Sequence, residues 1–204
     1  LIFDLDGTLV DSRGDLTAAV NRMRRHYGLQ PLSLEVVSGY VGGGARNLVE
    51  CALQQSKVDV DEALGIYKAF YNADLTGHTT TYDGVCEGLL ALSEAGHELA
   101  VLSNKPGDPS RAILEHFGLE ALFRSVIGGG DIDNLKPHPE GIHKLAADSG
   151  IDAANTWMIG DHHTDIEAAR NAGVFSAYVE YGFGNSRGLE ATCRFETFSQ
   201  VVEF

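Results

Sequence analysis

The stretch Leu1-Ile2-Phe3-Asp4-Leu5-Asp6-Gly7-Thr8-Leu9-Val10-Asp11-Ser12 decides how the rest of the chain is read. Leu1 to Phe3 is a continuous apolar run, as expected of a parallel strand buried on both faces. It passes directly into two carboxylates, Asp4 and Asp6, and then into a Gly7-Thr8 turn. Acids are almost never buried without partners. Two of them at the end of a buried strand need a reason, and the other strand ends supply it.

From Asp11 to about Thr81 the pattern is helical. "LTAAVNRMRRHYG" follows Asp15 as an N-cap and closes at Gly28 as a C-cap. "LSLEVVSGYVGGGARNLVECAL" reads as two helical pieces around a glycine-rich break, and "DVDEALGIYKAFYNADLTG" repeats apolar residues at helical spacing. No convincing β run occurs there. After Tyr82, strands alternate with helices of about ten residues, which implies βαβ units and a parallel sheet. The strands are "HELAVLSNK", "RSVIGGGD", "NTWMIGD" and "FSAYVEY", and the tail "CRFETFSQVVEF" adds an edge strand and a short helix. The expected fold is α/β: a Rossmann-like parallel-sheet core over 1–12 and 82–204, with a small all-helical domain, 13–81, inserted after the first strand. The first strand must rejoin the sheet, so the two crossings, near Ser12–Asp15 and Thr80–Gly84, should lie close together.

The 204 residues suit one large domain or a domain with a small insert. Hydrophobic residues at 44% and charged residues at 22% are ordinary for a globular protein. The formal charge of −14 argues against nucleic acid and anionic lipid as partners. No apolar run approaches the ~20 residues that span a bilayer. No basic segment followed by an apolar stretch opens the sequence, so no signal peptide is expected. Three cysteines, Cys51, Cys86 and Cys193, share no disulfide or zinc spacing. A reducing cytoplasm is the expected location, and the chain is expected to act as a monomer or homodimer.

In open parallel sheets, ligands bind outside the carboxyl ends of the strands. There this sequence places Asp4 and Asp6, then Ser103, Asn104 and Lys105, then Gly128 to Asp131 with a loop to Lys136, then Gly160 and Asp161 with Asp165 a turn later. Clustered carboxylates raise one another's pKa and stay ionised only around a cation. An all-oxygen donor set fits Mg²⁺.

Taken in order, "DLDGTLVDS", "SNK", "LKP" and "GDHHTD" resemble the four motifs of the haloacid dehalogenase superfamily of phosphotransferases. The helical stretch falls where one subclass of that superfamily carries its cap domain. Together with "FDLDGTLVDS" and "VGGGARNLVECAL", it looks most like the phosphoglycolate phosphatase type. The resemblance implies a Mg²⁺-dependent phosphatase acting on a small phosphorylated metabolite, with 2-phosphoglycolate the best guess. Asp4 would be the nucleophile that becomes an aspartyl-phosphate, and Asp6 the general acid and then base. Ser103 and Asn104 would bind phosphate, and Lys136 would bind it and pair with Asp4. Asp4, Asp6, Asp161 and Asp165 would hold the metal, Asp6 through its carbonyl. In the cap, Gly42 to Arg46 reads equally as an anion-binding site, with Gly43 and Gly44 offering N–H groups and Arg46 clamping a carboxylate, or as a hinge with Arg46 in solvent. Lys105 reads equally as a second charge at the phosphate or as an exposed lysine. His162 and His163 read as a solvated loop pair.

Competing functions remain. A phosphomutase of the β-phosphoglucomutase type would use the same acid pair. A phospho-acceptor signalling or scaffold protein would hold the phosphoryl group without turnover, which leaves Asp6 without a purpose.

Overall fold

In the computed structural model, residues 1–54 and 56–204 are described; Gln55, within the 13–81 segment, lies outside them. The chain runs β1 (Ile2–Phe3), β2 (Val10–Asp11), α1 (Arg13–His26), α2 (Leu34–Ser38), α3 (Gly44–Ala52), α4 (Val60–Asn72) and β3 (Thr80–Thr81). It continues through α5 (Val85–Glu94), β4 (Ala100–Pro106), α6 (Gly107–His116), β5 (Ser125–Gly129) and α7 (Glu140–Ser149). Last come β6 (Trp157–Gly160), α8 (His163–Ala172), β7 (Phe175–Val179), β8 (Cys193–Phe195) and α9 (Phe198–Glu203).

Six parallel strands form one sheet in the order β5-β4-β1-β6-β7-β8. The expected α/β parallel-sheet architecture is the observed one, including the tail strand and helix. Because strand side chains alternate between faces, neighbours divide between two cores. Phe3, Val101 and Ile159 pack with α5, α6 and α9 residues such as Leu89, Ile113 and Phe198. Ile2, Leu102 and Met158 face the other way, onto Ile142, Leu145, Ala168 and Ala169 of α7 and α8. After β1 the chain moves outward to β4 and β5, then returns to the far side of β1 for β6. That reversal opens a crevice at the carboxyl ends of β1, β4 and β6.

Helices α1 to α4 bury their apolar stripes on one another, with Leu16, Val20, Met23, Val49, Ala63, Tyr67 and Tyr71 at the centre. The chain leaves and re-enters this segment through β2 and β3, a short antiparallel pair in which Val10 faces Thr81 and Asp11 faces Thr80. Two-residue strands carry no periodicity, so no β run is visible there in the sequence. Helix α1 starts after Ser12, earlier than the N-cap assigned to Asp15. The Asp15 carboxylate instead reaches across the chain. It accepts from the backbone N–H groups of His78 at 3.0 Å and Thr79 at 2.8 Å, and from the Thr79 hydroxyl at 2.7 Å. The two crossings are thereby tied to each other. Among the described residues, no helix is long and apolar enough to cross a membrane.

Candidate active site

Asp4 follows β1 directly, and its backbone N–H donates to Ile159 O of β6 at 2.8 Å, which fixes the two strand ends side by side. Asp161 and Asp165 follow β6 and open α8. As a result, one carboxylate oxygen each of Asp4, Asp161 and Asp165 lies within 4.8 Å of the other two, and all three residues are buried. Glycine makes the room. Gly7 has φ +85°, and a Cβ there would overlap the Asp161 carboxylate.

Lys136, on the loop between β5 and α7, sends its ammonium into this cluster. Nζ lies 3.0 Å from Asp4 Oδ1 and 2.6 Å from Asp165 Oδ1. The other oxygen of Asp165 accepts from the His162 backbone N–H at 3.0 Å, closing a capping box on α8. Asp165 therefore both holds Lys136 and caps its helix. Burial opposes the charge on Lys136, but Asp165 and Asp4 together raise its pKa. Asp4 is pushed up to about 6, chiefly by burial, with Lys136 opposing and Asp165 and Asp6 adding to the rise. Burial, then Asp4 and Asp165, push Asp161 well above the ordinary carboxylate range.

Asp6 stands apart from that triad. Its carboxylate accepts from Ser12 Oγ at 2.5 Å and from Lys105 Nζ at 2.9 and 3.0 Å. Lys105 is not the exposed lysine that the sequence allowed: its side chain is 3% exposed. Ser103 is buried, and its Oγ accepts from the Lys105 backbone N–H at 3.3 Å. Asn104 spends its amide on positioning. Its Nδ2 donates to Gly42 O and Lys136 O, both at 2.8 Å, and its Oδ1 accepts from Lys136 N at 2.8 Å.

Asp4, Asp6, Ser103, Asn104, Lys105, Lys136 and Asp161 floor a cavity of about 330 Å³. Leu48, Tyr67 and Tyr71 of the helical segment form part of its wall. Gly42 and Gly44 line it as well. Gly42, at φ +109°, sits on the His162 ring; a Cβ there would lie 2.6 Å from Cε1. The reading of His162 and His163 as a solvated pair is corrected by this packing: His163 is buried and His162 half-buried under Gly42. Burial and the neighbouring His163 lower the His162 pKa to about 4, so its ring is neutral at pH 7.

Gly43 and Arg46 are not in the cavity wall. Gly43 packs on Asn47. Arg46 is turned outward along α3 and α4, with Nη1 2.5 Å from Asp61 and Nε 3.0 Å from Glu50. Two nearby carboxylates satisfy its guanidinium there, so the sequence-level idea of Arg46 as a substrate clamp is set aside.

The site's chemistry is that of a cation-binding anion receptor. Four buried acids, Asp4, Asp6, Asp161 and Asp165, meet two buried ammonium groups, Lys105 and Lys136, leaving two negative charges when all are ionised. Asp4 Oδ1 is buried and lacks a hydrogen bond; Lys136 stands near it out of alignment. Such an all-oxygen set, short of positive charge, fits a hard divalent cation.

The parallel sheet thus carries an acid pair after its first strand, a second acid pair after a neighbouring strand and a lysine between them. Residues 1–179 match the haloacid dehalogenase-like hydrolase family, and the chain belongs to it. It is 37% identical over 214 residues to a phosphoglycolate phosphatase of Colwellia psychrerythraea, covering 99% of this chain and 94% of that protein. It is also 37% identical to phosphoglycolate phosphatase 1 of Pseudomonas aeruginosa, over 93% of this chain and 72% of that one. A crystal structure of a predicted phosphoglycolate phosphatase from Haemophilus somnus superposes with a TM-score of 0.93 at 28% identity, covering 99% and 95% of the two chains. The chain is an enzyme of this family, a phosphoric monoester hydrolase.

Proposed function

We propose that the protein is a Mg²⁺-dependent phosphatase of a small phosphorylated metabolite, 2-phosphoglycolate first, working through an aspartyl-phosphate on Asp4. One observation carries this reading: the convergence of the Asp4, Asp161 and Asp165 carboxylates beside the cavity, with the Lys136 ammonium between Asp4 and Asp165. Asp4, Asp161, Asp165 and the main-chain carbonyl of Asp6 would hold the cation. When bound, it neutralises the acids and the incoming phosphate together and withdraws charge from the phosphoryl oxygens.

The residues then divide the work. A carboxylate oxygen of Asp4 forms a bond to phosphorus as the bond to the leaving oxygen breaks, and Asp6 gives that oxygen its proton. Asp6, now a carboxylate, takes a proton from water. The water oxygen bonds to phosphorus, the Asp4–phosphorus bond breaks, and phosphate leaves. Lys136 and the Ser103 hydroxyl stabilise the transferring group, and Asn104 positions the Lys136 backbone. Residues 13–81 act as a cap whose closure over the cavity excludes water. The cytoplasm is the proposed setting.

The test is a panel of phosphorylated metabolites, with and without Mg²⁺, on wild type and Asp4→Asn. Mg²⁺-dependent release of inorganic phosphate that vanishes in Asp4→Asn supports the reading; near wild-type turnover by that variant overturns it. Transfer of the phosphoryl group to a sugar phosphate instead of water would mark a mutase.

A further inference from the structure

With Arg46 turned outward, any second anion on the substrate needs another cation. Lys136 is committed to Asp4 and Asp165. Arg111 is held by Asp131 at 3.0 Å and Asp108 at 2.8 Å. Lys68 lines the cavity from the exposed side of α4. Lys105 is different: it is buried, it lines the cavity, and its ammonium stands between two elements. On one side are the Asp6 oxygens, and on the other the Tyr71 ring of α4, whose centroid is 4.7 Å from Nζ. An ammonium has three N–H donors. Asp6 engages two, and the aromatic face of Tyr71 beside the ammonium is a weaker partner than a carboxylate. The Tyr71 hydroxyl is also buried without a hydrogen-bond partner. Burial, then the charge on Asp6, raise the Tyr71 pKa well above that of an ordinary tyrosine, so it stays a protonated donor.

We infer that Lys105, backed by Tyr71, is the subsite for a second anionic group of the substrate: a carboxylate carried on the leaving group. The inference rests on the phosphatase reading above. Reach supports it. Asp6 is placed at the leaving oxygen, and in 2-phosphoglycolate the carboxyl carbon lies two bonds from that oxygen. The cation that touches Asp6 therefore adjoins the carboxylate's position. The two donors come from opposite sides, Lys105 from β4 and Tyr71 from α4, so the subsite is complete only when the helical segment lies against the sheet.

The test compares kcat/KM for 2-phosphoglycolate and for 2-hydroxyethyl phosphate, which carries a hydroxyl in place of the carboxylate, with p-nitrophenyl phosphate as a general phosphatase substrate. Wild type should favour the carboxylate. Lys105→Met should lose rate on both substrates, because Asp6 loses a partner. The ratio between them should also fall at least about tenfold, mainly through KM, the scale of one lost charge-assisted hydrogen bond. Lys105→Arg should recover part of the ratio, and Tyr71→Phe should lower it by a few-fold. An unchanged ratio in Lys105→Met overturns the inference and leaves Lys105 as a positioning residue for Asp6. If Lys105→Met does not fold by circular dichroism, wild type and Tyr71→Phe decide: no preference in the first, or an unmoved ratio in the second, overturns it. Turnover of p-nitrophenyl phosphate alone also overturns it but spares the phosphatase reading. Turnover of none of the three ends both.

Discussion

The sheet floor and the helical wall enclose one cavity by different means. On the floor, polar groups hold one another in place. Asp165 bridges Lys136 and the start of α8, Asn104 holds both the N–H and the C=O of Lys136, and Lys105 and Ser12 hold Asp6. The wall touches the cavity mainly with apolar and aromatic side chains and with glycine backbone, at Leu48, Tyr67, Tyr71, Gly42 and Gly44, joined by Lys68 and Asn72 of α4. Such a division suits an enzyme in which a rigid floor performs one chemistry and a separate wall selects what enters. Floor substitutions should therefore act on rate for every substrate, and at Lys105, where the floor meets Tyr71 of the wall, on selectivity as well. Wall substitutions should act on selectivity, and outward-facing wall residues on neither.

The largest break should come from Asp4→Asn. It keeps the shape and removes the carboxylate proposed as nucleophile, so turnover should drop by at least about 10⁴-fold, while circular dichroism still reports a folded protein. A loss of less than tenfold would remove Asp4 from the chemistry.

Next in size is a pH effect on stability. Asp4 moves from an ordinary 3.8 to about 6 on folding without a cation. A raised acid pKa means that the folded state binds the extra proton. The stabilising contribution is then fully present below about 3.8 and is lost as pH rises through about 6. At pH 7 the ionised Asp4 thus costs on the order of 3 kcal/mol, so metal-free Asp4→Asn should be more stable than wild type at pH 7 by about that amount. The gap should shrink as pH falls from 7 to 5, and saturating Mg²⁺ should shrink it at pH 7. Denaturant melts of both proteins measure it; a gap that does not change with pH would contradict the charge frustration assigned to the floor.

Asn104→Ala tests the tie between floor and wall. It strips partners from Gly42 O, Lys136 O and Lys136 N. Stability should fall by about 2 kcal/mol and kcat/KM by roughly ten- to a hundredfold, because the Lys136 loop loses its anchor. Chemical denaturation and steady-state kinetics read both quantities.

Arg46→Ala should do least. It makes only exposed ion pairs, which solvent screens and which contribute little to stability. Activity should stay within about twofold, and a large rise in KM for a carboxylate-bearing substrate would return Arg46 to the site.

The same division explains what could be read without coordinates. Asp4, Asp6, Ser103, Asn104 and Asp161 were legible because each interrupts or closely follows an apolar run, and a parallel sheet brings such ends to one crevice; Lys136 and Asp165, farther along the loops, stood out through the resemblance carried by "LKP" and "GDHHTD". Lys105 followed Ser103 and Asn104 in the same strand end. Its burial was hidden because the partner that buries it, Tyr71, lies on a helix distant in sequence. In the helical segment, amphipathic spacing marks which residues are buried. It does not tell which buried residues face a neighbouring helix and which a cavity, so nothing in the sequence sets Tyr67 and Tyr71 apart as cavity-lining. Arg46 misled for the opposite reason. A glycine-rich turn followed by arginine suggests anion binding, but Asp61, which captures it, comes from a later helix with no pattern linking the two. Local spacing marks Asp15 as a helix cap, while its link to His78 and Thr79 depends on how the chain returns to the sheet.

The most direct measurement is to mix enzyme, Mg²⁺ and 2-phosphoglycolate, quench in acid within one turnover, and locate any phosphoryl group on the digested protein by mass spectrometry. The account predicts a transient phosphoryl group on the peptide containing Asp4, absent from Asp4→Asn and gone once substrate is exhausted. Full turnover with the phosphoryl group never found on Asp4, or found on another residue, would contradict it.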